Sequence, residues 1–386
     1  MRKVGLKGAL FSALVIVSII ALAIPLLSSS PVHAALTSHD PIHIAGNDNF
    51  TSANGVVGGL GTADDPYIIE GWNINASNAD GIEISNTNAH FIIRNCYVHE
   101  GRVNKKYGIY LEKVINGIVS NNTVENDFYG IHLEYSANNL VTNNIAENNL
   151  LGIGLVSNSD NNLLSNNTVK NGSPGFYIMG SDNNLVTNNT CSGNGDSIWL
   201  NGSNHNLVTN NLVDNSISGI LLSLSSNNLV DNNTVKNNDN GISLEFGANN
   251  IISNNTCENN IWYGIYLLSL GKGNPNRIYH NNFVNNVNQA LDYGLNSWDN
   301  GYPSGGNYWS DYTGTDANGD GIGDTPYYIP PSDKNQDRYP LMNQFVPEAI
   351  PPEEAPQNPT RWSLIIGVVG AIVVIGIVAT VYVRRR

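Results

Sequence analysis

The sequence predicts an all-β chain, a right-handed parallel β-helix of about nine coils followed by one C-terminal transmembrane helix. Two observations carry the solenoid. The middle of the chain repeats every 22 or 23 residues, and the apolar segments within each repeat are too short for α-helix. A third observation carries the membrane helix: 22 uncharged residues, Trp362 to Val383, end directly on three arginines.

Taken in chain order, residues 1–34 read as a signal peptide. Arg2, Lys3 and Lys7 precede an apolar run from Ala9 to Leu27, which closes on the small-residue pattern Val32-His33-Ala34. Residues 36–75 lack the repeat and are expected to cap the first coil, because the open end of a β-helix leaves strand groups unpaired.

Residues 76–288 hold the repeats. Gly108-Ile109-Tyr110-Leu111 returns as Gly130-Ile131-His132-Leu133, Gly152-Ile153-Gly154-Leu155 and Gly175-Phe176-Tyr177-Ile178, and so on to Gly264-Ile265-Tyr266-Leu267. Asparagine doublets such as 121–122, 166–167 and 232–233 keep the same period. Each repeat contains three short apolar segments rich in β-branched residues and separated by Asn, Gly and Ser. Three short strands per turn make a triangular coil, and Asn and Gly suit its corners because both tolerate left-handed backbone. Coils stack about 4.8 Å apart, so equivalent residues stand above one another and corner asparagines can bond up the stack. A leucine-rich repeat has a similar period but needs a longer leucine spacing and a helical half, neither of which is present.

Stacking also places the cysteines. Cys191 and Cys257 take the slot of Val124, Val169 and Val235, three coils apart. That separation is about 14 Å, too far for a disulfide, so both are expected as buried core residues. Cys96 falls at a corner asparagine slot, as a free thiol. The sequons at Asn121, Asn166, Asn188, Asn232 and Asn254 are expected at ladder positions, generated by packing. Those at Asn49 and Asn75 lie outside the regular coils.

Residues 289–345 read as a C-terminal cap, 346–361 as a Pro-rich stalk, 362–383 as the transmembrane helix and 384–386 as a basic cytoplasmic tail. This arrangement puts the repeats on the extracellular or periplasmic face, with the C-terminus in the cytoplasm. The chain carries 18 Lys and Arg against 32 Asp and Glu, a net charge of −14. Such a balance repels phosphate backbones and argues against a nucleic-acid partner.

The stacked coils resemble the NosD-like periplasmic copper-binding family, within the wider group of carbohydrate-binding and sugar-hydrolase β-helices. Gly59 to Trp72 and the segment from Gly306-Asn307-Tyr308-Trp309 to Arg338-Tyr339-Pro340-Leu341 resemble the opening and closing segments of archaeal surface members. The resemblance implies a parallel β-helix and, through the family name, copper. The residues offer copper little: there is no Cys-x-x-Cys, His-x-His or Met-x-x-Met, and His90, Cys96 and His99 lack a ligand spacing.

Calcium has a better motif. Asp316, Asn318, Asp320, Ile322 (through its carbonyl) and Asp324 match the first nine places of a calcium loop, with Gly321 at the bend. Tyr327 replaces the bidentate Glu of place twelve, so Asp333 or Asp337 is expected to supply the last oxygen.

In G-I-x-L-x the third and fifth places point outward. Tyr110, Glu112, His132 and Glu134 therefore share an outer face on adjacent coils, with Tyr177 and Trp199 farther along. Glu112, His132 and Glu134 are the candidate catalytic groups for a polysaccharide lyase or hydrolase, since two carboxylates one coil apart approach a retaining-glycosidase spacing. Tyr110, Tyr177 and Trp199 are candidate sugar-stacking rings. The favoured expectation is a non-catalytic, membrane-anchored rod that presents this face to cell-surface glycans or surface proteins.

Overall fold

The structure, a computed structural model, describes residues 36–268 and 274–347. The expected signal peptide, nearly all of the stalk, the transmembrane helix and the basic tail lie outside the described residues. Among the described residues no helix is long and apolar enough to cross a membrane.

Three sheets run the length of the solenoid, of 12, 11 and 11 strands, parallel throughout except for Val56–Gly58, which pairs antiparallel with Tyr67–Glu70 at one edge, and each regular coil gives one strand to each. The registers are those of stacked repeats: Ile131 lies between Ile109 and Ile153, and Leu133 between Leu111 and Leu155. These side chains are fully buried, as are Val124, Val141, Val186 and their counterparts. Each contributes about 1.5–3 kcal/mol by leaving water. The alternation inferred for G-I-x-L holds, with Ile and Leu inward.

The coil count needs correction, from about nine to eleven. The additional turns come from the flanks. Ile42–Ala45, Tyr67–Glu70 and Trp72–Asn75 pair with the first repeats, Thr37–His39 pairs with Trp72–Asn75, and Asn288–Asp292 and Tyr308–Trp309 pair with the last repeats. These strands carry the inward pattern but not the asparagine punctuation. A long excursion between Ala45 and Tyr67, with two short 3-10 turns, also breaks their period.

The asparagine doublet has two different jobs. Its first member takes left-handed backbone, as at Asn121 (φ 56°), Asn166 (φ 56°) and Asn232 (φ 53°), and so turns the corner. Its second member turns inward. Asn122, Asn144, Asn167, Asn189, Asn211, Asn233, Asn255, Asn281 and Asn307 form one buried ladder. In it the backbone N–H and Nδ2 of each residue donate to Oδ1 of the next, as from Asn189 to Asn211 at 3.0 Å for both. Nδ2 also donates to a main-chain carbonyl, for Asn189 that of Leu164 at 3.0 Å. The sequon asparagines are therefore the outer corner residues, one position before the ladder, and not ladder members.

A second asparagine ladder starts at Asn139, whose Oδ1 accepts from Gly117 N–H, and reaches Asn296. A serine ladder links Ser136, Ser159, Ser181, Ser203 and Ser225.

The first ladder has a direction, so its ends differ. At the start, Cys96 N–H donates to Asn122 Oδ1 at 3.0 Å, and the Cys96 thiol is buried in the corner slot, its pKa pushed up to about 11 by burial. At the far end Asn307 needs an acceptor, and Asp337 supplies it. Asp337 Oδ2 accepts from Asn307 N–H (2.7 Å) and from Trp309 Nε1 (2.9 Å), and Oδ1 accepts from Tyr339 N–H (3.0 Å). Cys191 and Cys257 are buried and unbridged in the valine column, beside Val169 and Val235 respectively.

Because Asp337 receives only donors, Asp337→Asn must turn an amide nitrogen toward an N–H. The expected loss is about 1–3 kcal/mol of stability, read by denaturant unfolding of wild type and variant.

Candidate functional face

The outward columns of the G-I-x-L sheet hold the sequence-derived candidates. Glu112 and Glu134 are direct neighbours across the strand pair, as are Tyr110 and His132. The structure thus brings all four together and then assigns them unlike environments. Glu112 is ion-paired to Lys113 Nζ at 2.7 Å on an exposed corner. Glu134 Oε2 accepts the Tyr110 hydroxyl at 2.8 Å. Burial first, and then this bond and the Glu134 charge, hold the Tyr110 hydroxyl well above the usual phenol range.

His132 is covered. Only 4% of it is exposed, and it lies beneath Tyr107, Tyr110 and Tyr129 with ring centroids 5.3, 5.8 and 5.0 Å away. Its Nδ1 has no partner and points at the space left by Gly154, where a Cβ would lie 2.8 Å away. Burial lowers its pKa to about 4. A neutral imidazole with so little of its surface exposed, and with Nδ1 turned inward, reads as packing.

The sequence reading missed Tyr107, Phe128 and Tyr129. Tyr107 stacks on Tyr110 at 4.8 Å, and Phe128 on Tyr129 at 4.6 Å. The signal was present in the residue before the repeat glycine: Tyr107, Tyr129 and Tyr263 all begin a Tyr-Gly-Ile triplet.

Farther along, Tyr177 and Trp199 sit on adjacent strands, both half-buried, with centroids 4.9 Å apart. Their polar atoms are tethered: Asn201 Nδ2 donates to the Tyr177 hydroxyl at 3.2 Å, and Trp199 Nε1 donates to Ser223 Oγ at 3.3 Å. Near the last coils Tyr266 contacts Tyr263 (5.7 Å) and Tyr293 (6.4 Å). The columns themselves contain Glu83, Glu112, Glu134 and Glu245 and no lysine or arginine.

The cap loop lies apart from this face. Asp316 accepts from Gly319 N–H (2.7 Å) and Gly321 N–H (2.8 Å), Asp320 from Ile322 N–H (2.9 Å) and Asp324 from Ala317 N–H (2.8 Å). Asn318 Nδ2 donates to Asp320 Oδ2 at 3.0 Å. The loop is thus folded around its own carboxylates. Of the two residues expected to complete it, Asp333 is exposed, while Asp337 is the buried ladder end and is not available to an ion.

Two family profiles match the chain: "Right handed beta helix region" over residues 38–190 and "Periplasmic copper-binding protein (NosD)" over residues 153–314. The chain is a NosD-like right-handed β-helix protein. No curated protein matches its sequence. Solved structures similar to the NosD-like chain include the Dettilon tailspike protein gp208, at 15% identity over 71% of this chain and 59% of that one (TM-score 0.50). The A-module of a mannuronan C-5 epimerase from Azotobacter vinelandii is 17% identical over 59% of this chain and 72% of that one (TM-score 0.46). The catalytic domain of a GH87 α-1,3-glucanase is 16% identical over 66% and 60% (TM-score 0.48). At these identities the likeness concerns the fold.

The copper in the family name does not find a matching donor set. Cys96, Cys191 and Cys257 are buried in separate places, and burial holds each thiol in its protonated form. His99 Nε2 contacts Asn73 Oδ1 at 3.0 Å. Among the described residues no three His, Cys, Asp or Glu side chains are grouped to hold a metal.

His132 gives a pH dependence of known sign. Its folded pKa lies below the ordinary imidazole value of about 6.5, so the stabilisation is complete above about pH 6.5 and is lost as pH falls toward 4. His132→Phe removes this component. The variant is expected to lose less stability than wild type between pH 6.5 and 4, by at most about 3 kcal/mol, measured by unfolding at stepped pH.

Proposed function

We propose that this NosD-like rod is a non-catalytic carbohydrate-binding protein on the extracellular or periplasmic side, and that its ligand is an extended neutral glycan lying along the G-I-x-L face. The observation that carries this reading is the row of half-buried rings at Tyr110, Tyr177, Trp199 and Tyr266 on one outward column. Tyr110 and Tyr177 are three coils apart, and so are Trp199 and Tyr266. At about 4.8 Å per coil the rings recur about every 14 Å, a scale of a few units of a stretched polymer, while Tyr177 and Trp199 are one coil apart. Aromatic faces stack on the apolar faces of sugar rings, and the tethered hydroxyl and indole N–H hold Tyr177 and Trp199 in fixed orientations. The column's four glutamates, without a lysine or arginine, disfavour a polyuronate.

Binding rather than turnover is supported by the state of the acids. Glu112 is held by Lys113, Glu134 by Tyr110, and the neighbouring imidazole is largely covered and neutral. The polysaccharide-active reading keeps Glu112 and Glu134 as its pair, and the test separates the two. On a glycan array the protein is expected to retain neutral polymers. The Tyr177→Ala and Trp199→Ala variants lose at least tenfold in affinity, and reducing-end release stays at background. Turnover that disappears in Glu134→Ala decides for the enzyme; unchanged binding in both aromatic variants removes the face from consideration.

For the cap loop we propose a structural calcium held by Asp316, Asn318, Asp320, the Ile322 carbonyl and Asp324, whose carboxylates, not gathered around one point while they accept the loop's own N–H groups, regroup around the ion. The support is the spacing of the oxygens and the place of Ile322, which bridges to Leu341 beside the last coil. Adding calcium to chelator-treated protein is expected to raise its melting midpoint by several degrees, and Asp320→Ala to abolish the rise.

A further inference from the structure

A third ladder, interrupted at Gly172, runs along the corner before the G-I-x-L strand: Asp127 N–H donates to Asn149, and beyond the gap Gly172 N–H donates to Asn194, followed by Ser216, Asn238, Asn260 and Asn286. Here too the amide nitrogens are donors. Nδ2 of Asn149, Asn194 and Asn260 donates to the carbonyl of Val124, Val169 and Val235, at 3.0, 3.2 and 3.3 Å. Asn260 Nδ2 also donates to Asn286 Oδ1 at 2.8 Å.

The ladder's first member is an acid, Asp127. It is fully buried, with 0% exposed. Its Oδ1 accepts from Gly101 N–H at 2.7 Å, as an asparagine oxygen would, and its N–H donates to Asn149 Oδ1 at 2.8 Å. Its Oδ2 has no partner. That oxygen stands where the other members place nitrogen. A Cβ on Gly108 would lie 2.6 Å from Asp127 Oδ2, just as one on Gly130 would lie 2.7 Å from Asn149 Nδ2 and one on Gly264 2.7 Å from Asn286 Nδ2. Val98 is the strand partner of Val124. The acceptors equivalent to those used along the column are therefore the Val98 carbonyl and Asn149 Oδ1. An ionised carboxylate would set lone pairs against lone pairs there.

We infer that Asp127 is folded as the neutral acid, its Oδ2–H donating where the column's asparagines use Nδ2, so that its ionisation makes the first repeats sensitive to rising pH. The charges around it point the same way. Asp80, Glu100 and Glu125 face it and disfavour a further negative charge, and burial with these neighbours pushes its pKa up to about 7. His99 and Glu147 flank Glu125 in register. Arg102, Lys105 and Lys106 belong to the loop above, where the Arg102 guanidinium donates to the Asn148 carbonyl at 2.8 Å. Asp337, also raised to about 7 by burial, is the opposite case geometrically, because both of its oxygens meet N–H donors. The ligand set, and not the burial, separates the two.

The raised folded pKa fixes the sign. The stabilisation is full below the unfolded value near 4 and is lost as pH rises through about 7. Asp127→Asn supplies the donor permanently. The test is the difference in melting midpoint between full-length Asp127→Asn and wild type from pH 5 to 8.5. Shared titrations, including that of Asp337, cancel in this difference. The expected result is near-equality at pH 5 and a gain of about 2 °C or more for the variant above pH 7.5. A difference that is flat or falls with pH overturns the inference. A second reading does not depend on the Asn variant folding well. The infrared difference spectrum of wild type minus Asp127→Ala at pH 6 should contain a protonated-carboxyl C=O stretch, which separates Asp127 from Asp337, and a difference spectrum without that stretch also overturns the inference.

Discussion

Everything in this rod depends on burying amides in a column with a direction. An asparagine side chain carries a donor and an acceptor, and repetition at 22 or 23 residues lets each oxygen meet the N–H groups of the coil before it, as between Asn167 and Asn189. Buried polar groups are costly unless paired. The repeat pairs them by translation, so the same solution serves every turn. The valine and isoleucine columns supply the larger share of the driving force. The amides fix the register, because a slip by one residue would strand a row of buried donors.

A directional column also demands different residues at its two ends, and this explains several places where the pattern is broken. Cys96 occupies an asparagine slot at the beginning of one ladder, where only its backbone N–H is required by the next residue. Asp337 comes from outside the repeat to close the same ladder with lone pairs alone. Arg338, beside it, pairs with Asp299 through two bonds of 2.8 and 2.7 Å, which ties the closing segment to the last turns.

The fold was legible in the sequence because its defining interactions are periodic. The G-I-x-L columns, the cysteines in valine slots and the corner asparagines all follow from counting. The flanking turns were hidden because Ile42 and Ile44 sit 40 residues before their partners Ile82 and Ile84, well off the period. The outer face was legible only in part. Alternation gives the direction of His132 but not the fact that three neighbouring tyrosines roof it over. Asp127 is visible in the sequence as Asn-Asp where four later repeats read Asn-Asn, yet what its second oxygen faces depends on the neighbouring strands and glycines. The role of Asp337 was misjudged for a related reason, since proximity in sequence to an acidic loop says nothing of which way a carboxylate is drawn.

The glycine that opens each G-I-x-L strand has a further consequence. A side chain at Gly130, Gly219 or Gly241 would press on the main-chain carbonyl of the glycine one coil on, at 2.6, 2.4 and 2.3 Å respectively. Where glycine stands, a turn is therefore in contact with the next through backbone and not through shapes particular to that turn; Ser197 takes the place in one coil, its hydroxyl bonded to Ser216. Internal coils are thus nearly interchangeable modules, and one could be lost or duplicated whole while both terminating residues keep their partners. The length of such a rod is a quantity that can change in steps of one rung, with the chemistry of its ends untouched.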